Sequence, residues 1–312
     1  MPQLRVVSAC AAPTCATLTT RVQCCVQLSP VHGDVEASIA RADALLAPLD
    51  EAAAVDVVVL PELALTGYCF RDTVHITPLA EPVGAGRTHA WCAAQAARLQ
   101  AYVVCGFVEA GADGRLYNSQ VAVSPAGVVV ANHRKKHLFA TDKTWAAEGA
   151  CWTTARVVSR SGAKAVKALL GVCMDINPWE FRAPFDAWEF ARAALQATPP
   201  CRLLLFSSAW CDRSPEDPPD YVPPPTDADD TLSYWAARLR PLAEAPTPFY
   251  FVCADRIGQE GSTNFCGCSC VMQLGSADGK PRAKLLDALG IDEEGLLLQD
   301  IEVLTDDEAQ EE

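Results

Sequence analysis

Short runs of apolar and β-branched residues recur along the whole chain, and this recurrence constrains the fold more than any other feature. Between the runs lie segments rich in Ala and Leu, such as 37–49 and 88–100, with the length and composition of helices. Strands that alternate with helices are typical of α/β proteins. The predicted strands are 22–28, 55–60, 102–108, 120–123, 169–174, 203–208, 249–254 and 268–274.

The patterns within individual strands indicate how the sheets are covered. Residues 55–60, apart from Asp56, and residues 203–206 are apolar throughout, as expected for strands that are buried on both faces. Residues 120–130 predict a hairpin that turns at 125–127, in the order Pro-Ala-Gly. A sandwich of mixed sheets with helices on the outside accommodates both patterns.

The chain shows no internal repeat or linker, so we expect one domain over residues 21–302. A ragged segment, 1–20, precedes it and an acidic tail, 303–312, follows it. Eleven acidic residues and no Lys or Arg come after Leu286, which indicates a solvated end. Residues 214–230 contain six prolines and six acidic residues and predict an exposed loop.

Composition argues against several classes of partner and site. With 39 Asp and Glu against 25 Lys and Arg, the chain lacks the basic surface that nucleic-acid binding requires. Its apolar stretches are far shorter than the roughly 20 residues of a membrane-spanning helix, so we expect a soluble protein. The 15 cysteines are odd in number and irregular in spacing, which favours free thiols in a reducing compartment. Cys266, Cys268 and Cys270 lack a C-x-x-C partner, so no zinc site is predicted.

The N-terminal segment leaves the cellular location open. No acidic residue precedes Asp34 in the chain, and Arg5 and Arg21 lie among Ser, Thr and Ala. Mitochondrial targeting segments share this composition. An ordinary ragged terminus is the simpler interpretation. We expect a cytoplasmic protein, with the nucleus and the mitochondrion as alternatives.

Two reactive side chains follow predicted strands. Glu62 comes just after the apolar run 55–60, where open α/β folds keep their sites, and is a candidate general base; a capping carboxylate is the alternative. Cys173 also ends an apolar run. A free cysteine is most often a small buried apolar residue, but here the N–H of Met174 lies ahead of the thiol and can hold an oxyanion.

A basic cluster occupies residues 133–137, in the order His-Arg-Lys-Lys-His. Such a cluster is usually a solvated surface, and its two histidines lack a third ligand for a metal. A lysine close to Cys173 would lower the thiol pKa and stabilise an oxyanion. Pairing of Cys173 with a histidine is the alternative, but all five histidines precede Cys173, which excludes the papain order, and no caspase-type Gln-Ala-Cys surrounds it.

The order of the three segments resembles the nitrilase superfamily of carbon-nitrogen hydrolases: Pro-Glu after a strand, then Arg-Lys-x-His-Leu-Phe, then Gly-x-Cys-x-Asp. The resemblance implies a four-layer αββα sandwich. It also implies that Glu62 is the general base, Cys173 the nucleophile and Lys135, two residues before His137, the oxyanion-stabilising lysine. No metal or organic cofactor is implied.

The resemblance extends from about Arg21 to Ile301 through Tyr-Asn-Ser at 117–119, Ser-Ser-Ala-Trp at 207–210 and Phe-Cys-Gly-Cys-Ser at 265–269. It implies that Glu148 is the second glutamate, which positions substrate and lysine in many members. The residues expected in the substrate pocket are Tyr68, Asp175, Asn177 and Trp210.

Within the superfamily, residues 61–68 and 173–185 resemble the fungal type of protein N-terminal amidase, which deamidates Asn or Gln at the first position of a polypeptide. The resemblance implies polypeptide N-termini as substrates and a role in the N-degron pathway. Many small-molecule amidases bind a substrate carboxylate with an arginine two residues after Cys-x-Asp. Asn177 and Pro178 occupy that region here. Arg182 is the one nearby arginine that could bind a substrate carboxylate instead.

Two departures and two alternative functions accompany the resemblance. The Ala-Asn-Arg of the family is Ala-Asp-Arg at 254–256, and the region after Trp210 is shorter than in fungal members. A small-molecule omega-amidase or carbamoylase of the same superfamily is one alternative, and a non-catalytic binding protein on the same scaffold is the other. The oligomeric state stays open, with a homodimer as the assembly considered.

Overall fold

Two six-stranded sheets form the centre of the computed structural model, which describes residues 19–158, 164–214, 217, 218, 220–223 and 227–305. The first sheet contains β1 (Thr19–Gln27), β2 (Val55–Val59), β3 (Tyr102–Ala110), β4 (Leu116–Val123) and β5 (Val129–Arg134). The second contains β6 (Thr154–Val158), β7 (Ala165–Val172), β8 (Leu203–Ser208) and β9 (Phe249–Asp255). A small separate hairpin is formed by β10 (Ile257–Glu260) and β11 (Thr263–Cys266).

The C-terminal part of the chain completes both sheets. β12 (Cys270–Leu274) and β13 (Ala283–Ala288) extend the second sheet, and β14 (Gly295–Val303) returns to the first. The strand orders are β14-β1-β2-β3-β4-β5 and β13-β12-β9-β8-β7-β6. β2 is parallel to β1 and β3, and β8 is parallel to β7 and β9.

The helices of the described residues are α1 (Val35–Leu46), α2 (Thr73–Ile76), α3 (Arg87–Leu99), α4 (Glu189–Gln196), α5 (Ala228–Arg238) and α6 (Arg240–Ala243). Single 3₁₀ turns occupy Glu51–Ala53, Thr77–Leu79, Asp142–Thr144, Cys173–Ile176, Trp179–Phe181 and Phe185–Ala187. α1 begins after Asp34, whose carboxylate accepts a hydrogen bond from the Ala37 N–H (3.0 Å). In this part of the chain no helix has the length and apolar character needed to span a membrane.

Apolar layers join the sheets and helices. Between the sheets, Val57 and Val59 of β2 share one cluster with Leu170 of β7, whereas Val58 packs with residues of α1 and α3. α4, α5 and α6 cover the outer face of the second sheet. Successive strand residues point to opposite faces, so a strand covered on both sides is apolar throughout. The predicted αββα sandwich is confirmed.

The ends of the predicted domain need correction. β14 pairs with β1 along its length, up to Val303 opposite Thr19, and Leu304 and Thr305 are buried. The ordered domain therefore includes residues assigned to the acidic tail or to the ragged N-terminal segment. The exposed acidic side chains of β14 alternate with buried residues such as Ile301 and Val303. The region is therefore an amphipathic strand, which its net charge alone did not indicate. Residues 1–18 and 306–312 lie outside the described residues.

Other sequence expectations can be compared directly. β4 and β5 form the predicted hairpin, and Gly127 adopts a positive φ of 73° in its turn. The predicted loop 214–230 lies partly outside the described residues, and its last residues, from Ala228, begin α5. All 13 cysteines of the described residues have free thiols.

Gly106 in β3 lets the turn after β2 approach closely. Its N–H donates to the Pro61 carbonyl (3.2 Å), and its own carbonyl accepts from the Ala64 N–H (3.1 Å). A Cβ atom at this position would lie 2.6 Å from the Cα of Glu62. The turn that carries Glu62 is therefore held against a residue that has no side chain.

We expect Gly106→Ala to lower the free energy of unfolding by about 1–3 kcal/mol, because the added methyl group must displace backbone atoms of this turn. Urea unfolding measures the change. Gly295→Ala is the matched control, since no atom lies within 4 Å of its Cβ position, and its change should stay within about 0.5 kcal/mol. Equal stability of Gly106→Ala and the unchanged protein would contradict the close approach.

Candidate active site

Three predicted residues meet where strands of the two sheets end. Glu62 follows β2, Cys173 follows β7, and Lys135 comes directly after β5. The Glu62 N–H donates to the Ser208 carbonyl at the end of β8 (3.3 Å), which joins the two sheets at this point. The structure thus places Glu62, Lys135 and Cys173 in one site, and their chemical roles stay predictions.

A closed ring of hydrogen bonds surrounds the lysine. Nζ of Lys135 donates to Oε1 of Glu62 (2.6 Å) and to Oδ2 of Asp142 (2.5 Å). Nδ2 of Asn118 donates to the same Glu62 oxygen (2.6 Å) and to Oδ1 of Asp142 (2.9 Å). All four side chains are fully buried. One ammonium between two carboxylates gives the ring a net charge of −1, and buried charges are tolerable only when paired in this way.

The structure does not bring Glu148 to the lysine. Glu148 is exposed, and its Oε1 accepts a hydrogen bond from Nε1 of Trp179 (3.1 Å) rather than from Lys135. Asp142, which was not among the predicted site residues, supplies the second carboxylate. It lies at the start of a 3₁₀ turn that folds back toward the lysine. The only sequence signal was that Asp142 lies seven residues after Lys135. Spacing along a loop does not show that the loop folds back on itself.

The ring sets the protonation of Glu62 and Lys135. Burial raises the pKa of Glu62, and the charge of Asp142 adds to the rise, whereas Lys135 opposes it. Burial acts against the charged form of Lys135, but Asp142 and Glu62 outweigh it and hold the pKa of the ammonium above its ordinary value. The result is a permanent cation beside a carboxylate with raised basicity, which suits a general base.

Cys173 lies at the start of the 3₁₀ turn Cys173–Ile176 with φ of 40°, a left-handed conformation that costs energy for a residue with a side chain. Burial raises the pKa of its thiol well above the usual value; Glu62 adds to the rise and Lys135 opposes it. The resting group is a thiol, so its reaction requires a proton acceptor. The next N–H is that of Met174. It lies in the first part of the turn, where N–H groups have no partner within the helix.

Asp175 does not line the pocket, contrary to expectation. It is fully buried, and its Oδ1 accepts from the N–H groups of residues 136 and 137 (2.8 and 2.9 Å). Its Oδ2 accepts from the Val172 N–H (2.9 Å) and lies 2.8 Å from Nε2 of His133. Burial opposes its charge, but the bond with His133 lowers the pKa of Asp175 overall. This carboxylate fastens the lysine segment to the cysteine turn.

A pocket of about 150 Å³ opens at the thiol. It is lined by Phe139, Cys173, Met174, Asn177, Phe181, Ala209, Trp210 and Cys211. Asn177 and Trp210 lie where they were expected, and the Asn177 Oδ1 accepts from the Tyr234 hydroxyl (2.6 Å). Tyr68 does not belong to this lining: it is buried with its ring 5.6 Å from Nζ of Lys135 and packs edge-on against Phe265. Among the described residues, no group of three or more His, Cys, Asp or Glu is placed to hold a metal ion.

Exchange of Asp142 tests the ring. Asp142→Asn removes one negative charge, so the thiolate of Cys173 becomes easier to form, and we expect alkylation of Cys173 by iodoacetamide at pH 7 to become faster by about threefold or more. Mass spectrometry of the Cys173 peptide measures the rate. Glu148→Gln is the control, since Glu148 lies at the surface, and its rate should stay unchanged. Faster alkylation in Glu148→Gln with an unchanged rate in Asp142→Asn would instead indicate that Glu148 is the carboxylate that acts on the thiol.

Comparison with known proteins agrees with this geometry. The carbon-nitrogen hydrolase family model matches residues 24–177. The protein N-terminal amidase of Schizosaccharomyces pombe is 31% identical over 293 residues, which covers 89% of this chain and 98% of that protein. The protein N-terminal amidase of Saccharomyces cerevisiae is 29% identical over 201 residues, which covers 59% of this chain and 44% of that protein.

Solved structures share the fold. An N-terminal amidase crystallised with an Asn-Glu-Ala peptide superposes with a TM-score of 0.78 at 20% identity, over 91% of this chain and 98% of that one. At this identity the likeness concerns the architecture alone. Because the Schizosaccharomyces pombe relative is similar over nearly its whole length, this chain belongs to the carbon-nitrogen hydrolase family, within the nitrilase superfamily.

Proposed function

We propose that the chain is a protein N-terminal amidase, which converts Asn or Gln at the first position of a polypeptide to Asp or Glu and releases ammonia. Membership of the carbon-nitrogen hydrolases makes it an amide-hydrolysing enzyme. The relative that aligns with most of the chain carries the name of this activity, and the structural neighbour was solved with a peptide that begins with Asn.

The character of the pocket carries the proposal. No Lys or Arg is among the described residues that line it. Arg182, the one arginine that left a carboxylate-binding role open, has a side chain that is 79% exposed, and its Nη1 donates to Glu180 (2.9 Å). A free amino acid amide brings a carboxylate that needs a cation, whereas the first residue of a polypeptide has a peptide bond there. The pocket therefore favours a polypeptide N-terminus over small amides with a free carboxylate.

The reaction begins with proton transfer from Cys173 to Glu62. This transfer leaves the net charge of the buried groups unchanged at −1, which avoids a second uncompensated charge. The thiolate attacks the carboxamide carbon of the substrate side chain, and a tetrahedral oxyanion forms. Lys135 has three N–H bonds and directs two of them to Glu62 and Asp142, so the third is available to the oxyanion together with the Met174 N–H.

Collapse of the tetrahedral intermediate breaks the carbon–nitrogen bond. Glu62 returns its proton to the nitrogen, ammonia leaves, and a thioester with Cys173 remains. Glu62 then takes a proton from water, which attacks the thioester and releases Asp or Glu at the N-terminus with the thiol restored. The residues present complete this cycle by acid–base and nucleophilic steps.

The remaining sequence expectations stay predictions. These are a cytoplasmic or nuclear location, with mitochondrial import by the acid-free N-terminus as the alternative, and a homodimer as the assembly considered. A non-catalytic binding protein is disfavoured by the buried ring, because ionisable groups are costly to bury without a use.

Cys173→Ala is expected to lower ammonia release from an Asn-initiated peptide by at least about a thousandfold, because the thioester can no longer form. A coupled ammonia assay measures the rate, and circular dichroism checks folding. Cys211→Ala is the matched control, since this cysteine also lines the pocket but has no part in the proposed cycle. Undiminished turnover by Cys173→Ala would contradict the nucleophile.

The choice of substrate is tested with a panel of amides. We expect Asn- and Gln-initiated peptides to release ammonia, and acetylation of the α-amine to lower kcat/KM by at least about a hundredfold, because a site built to bind that amine rejects its neutral form. Free omega-amides and N-carbamoyl amines should react poorly. Preference for these small molecules would instead establish the omega-amidase or carbamoylase alternative.

A further inference from the structure

Asp255, the last residue of β9, is a fully buried carboxyl group without a neutralising cation among the described residues. The adjacent guanidinium of Arg256 is directed elsewhere. Its Nη1 donates to Oε1 of Glu260 (2.5 Å), and its plane lies 3.8 Å from the centre of the Phe265 ring. An isolated buried carboxylate costs several kcal/mol, so the group either ionises at great cost or keeps its proton.

The hydrogen bonds of Asp255 reach the pocket wall. Its Oδ1 accepts from the N–H of Trp210 (2.9 Å) and from the N–H of Arg256 (2.9 Å). Trp210 lines the pocket beside Cys173. The neighbouring Ser208 carbonyl accepts the N–H of Glu62 (3.3 Å) and also that of Arg256 (3.2 Å). A shift of Asp255 would therefore move both the pocket wall and the turn that carries the proposed base.

The groups around Asp255 are mostly acids. Asp255 interacts electrostatically with five other acidic groups: Glu62, Cys173, Cys253, Cys268 and Cys270. The backbone of Asp255 is held by the neutral Ser269 hydroxyl of the loop before β12, and the facing residue of β8 is Ser208. Burial raises the pKa of Asp255 well above its ordinary value, and the charge of Glu62 adds to the rise.

We propose that Asp255 is a positioning residue that acts as a neutral carboxylic acid: it holds the Trp210 N–H, and with it the pocket wall, without adding charge beside the buried ring. An ionised Asp255 would place a second uncompensated negative charge close to Cys173 and Glu62. The neutral acid provides the same acceptor oxygen without that cost. Only the kinetic part of the test rests on the proposed function.

The first test measures stability against pH. An acid that stays protonated in the folded protein but ionises in the unfolded chain lowers stability steadily as pH rises above about 4. Asp255→Asn removes this titration and keeps the shape. The urea midpoint of Asp255→Asn, relative to the unchanged protein, is expected to rise between about pH 5 and pH 7.

Glu109→Gln is the matched control for this test. Burial opposes the charge of Glu109, but its hydrogen bonds, led by that with Arg134, lower its pKa, so it is ionised in both the folded and the unfolded state over this range. The relative midpoint of Glu109→Gln should stay constant between about pH 5 and pH 7. A constant or falling difference for Asp255→Asn would overturn the proposal, because an ionised Asp255 would behave in that way.

The second test measures kinetics with an Asn-initiated peptide. Asp255→Asn keeps the acceptor and should retain kcat/KM within about threefold, whereas Asp255→Leu has similar volume without an acceptor and should lower it by about tenfold or more. Loss of activity in folded Asp255→Asn, or full activity in Asp255→Leu, would overturn the proposal. If the unchanged protein does not act on such peptides, the proposed function fails, and the pH dependence of stability still decides the role of Asp255.

Discussion

The buried contact of Lys135 with two carboxylates is the interaction on which the site depends. Its Nζ lies 2.6 Å from Glu62 and 2.5 Å from Asp142, and none of the three side chains reaches solvent. Removal of Lys135 would leave two carboxylates without a counter-ion in the interior, which costs several kcal/mol. The three residues come from a turn after β2, the end of β5 and a 3₁₀ turn, so the ring also fixes these segments relative to one another.

The fold holds these segments by backbone contacts that leave little freedom. Asp175 binds the N–H groups that follow Lys135 and the N–H that precedes Cys173, so Cys173 and Lys135 share one support. Gly106 admits the Glu62 turn at a distance that a side chain would prevent. Such support matters because catalytic groups act only when held within a fraction of an ångström of their productive positions.

The groups around the Cys173 thiol keep the net charge of this buried region small. The ring carries −1, the thiol keeps its proton because its pKa is raised, and the proposed proton transfer to Glu62 changes no net charge. A protonated Asp255 continues the same arrangement on the other side of the pocket wall. Burial of these side chains strengthens each of the interactions, since electrostatic energies grow as the local dielectric falls.

The sequence by itself determined the sandwich and the principal site residues. Recurrent runs of apolar and β-branched residues predicted the sheets, and reactive residues at the ends of apolar strands marked Glu62 and Cys173, because strand ends meet at one edge of a sheet. Only the tertiary structure decided which carboxylate meets Lys135, that Asp175 lies behind the pocket rather than in it, and that Tyr68 is buried beside the lysine. Those contacts depend on how loops return in space, and neither periodicity nor spacing along the chain encodes the path of a loop.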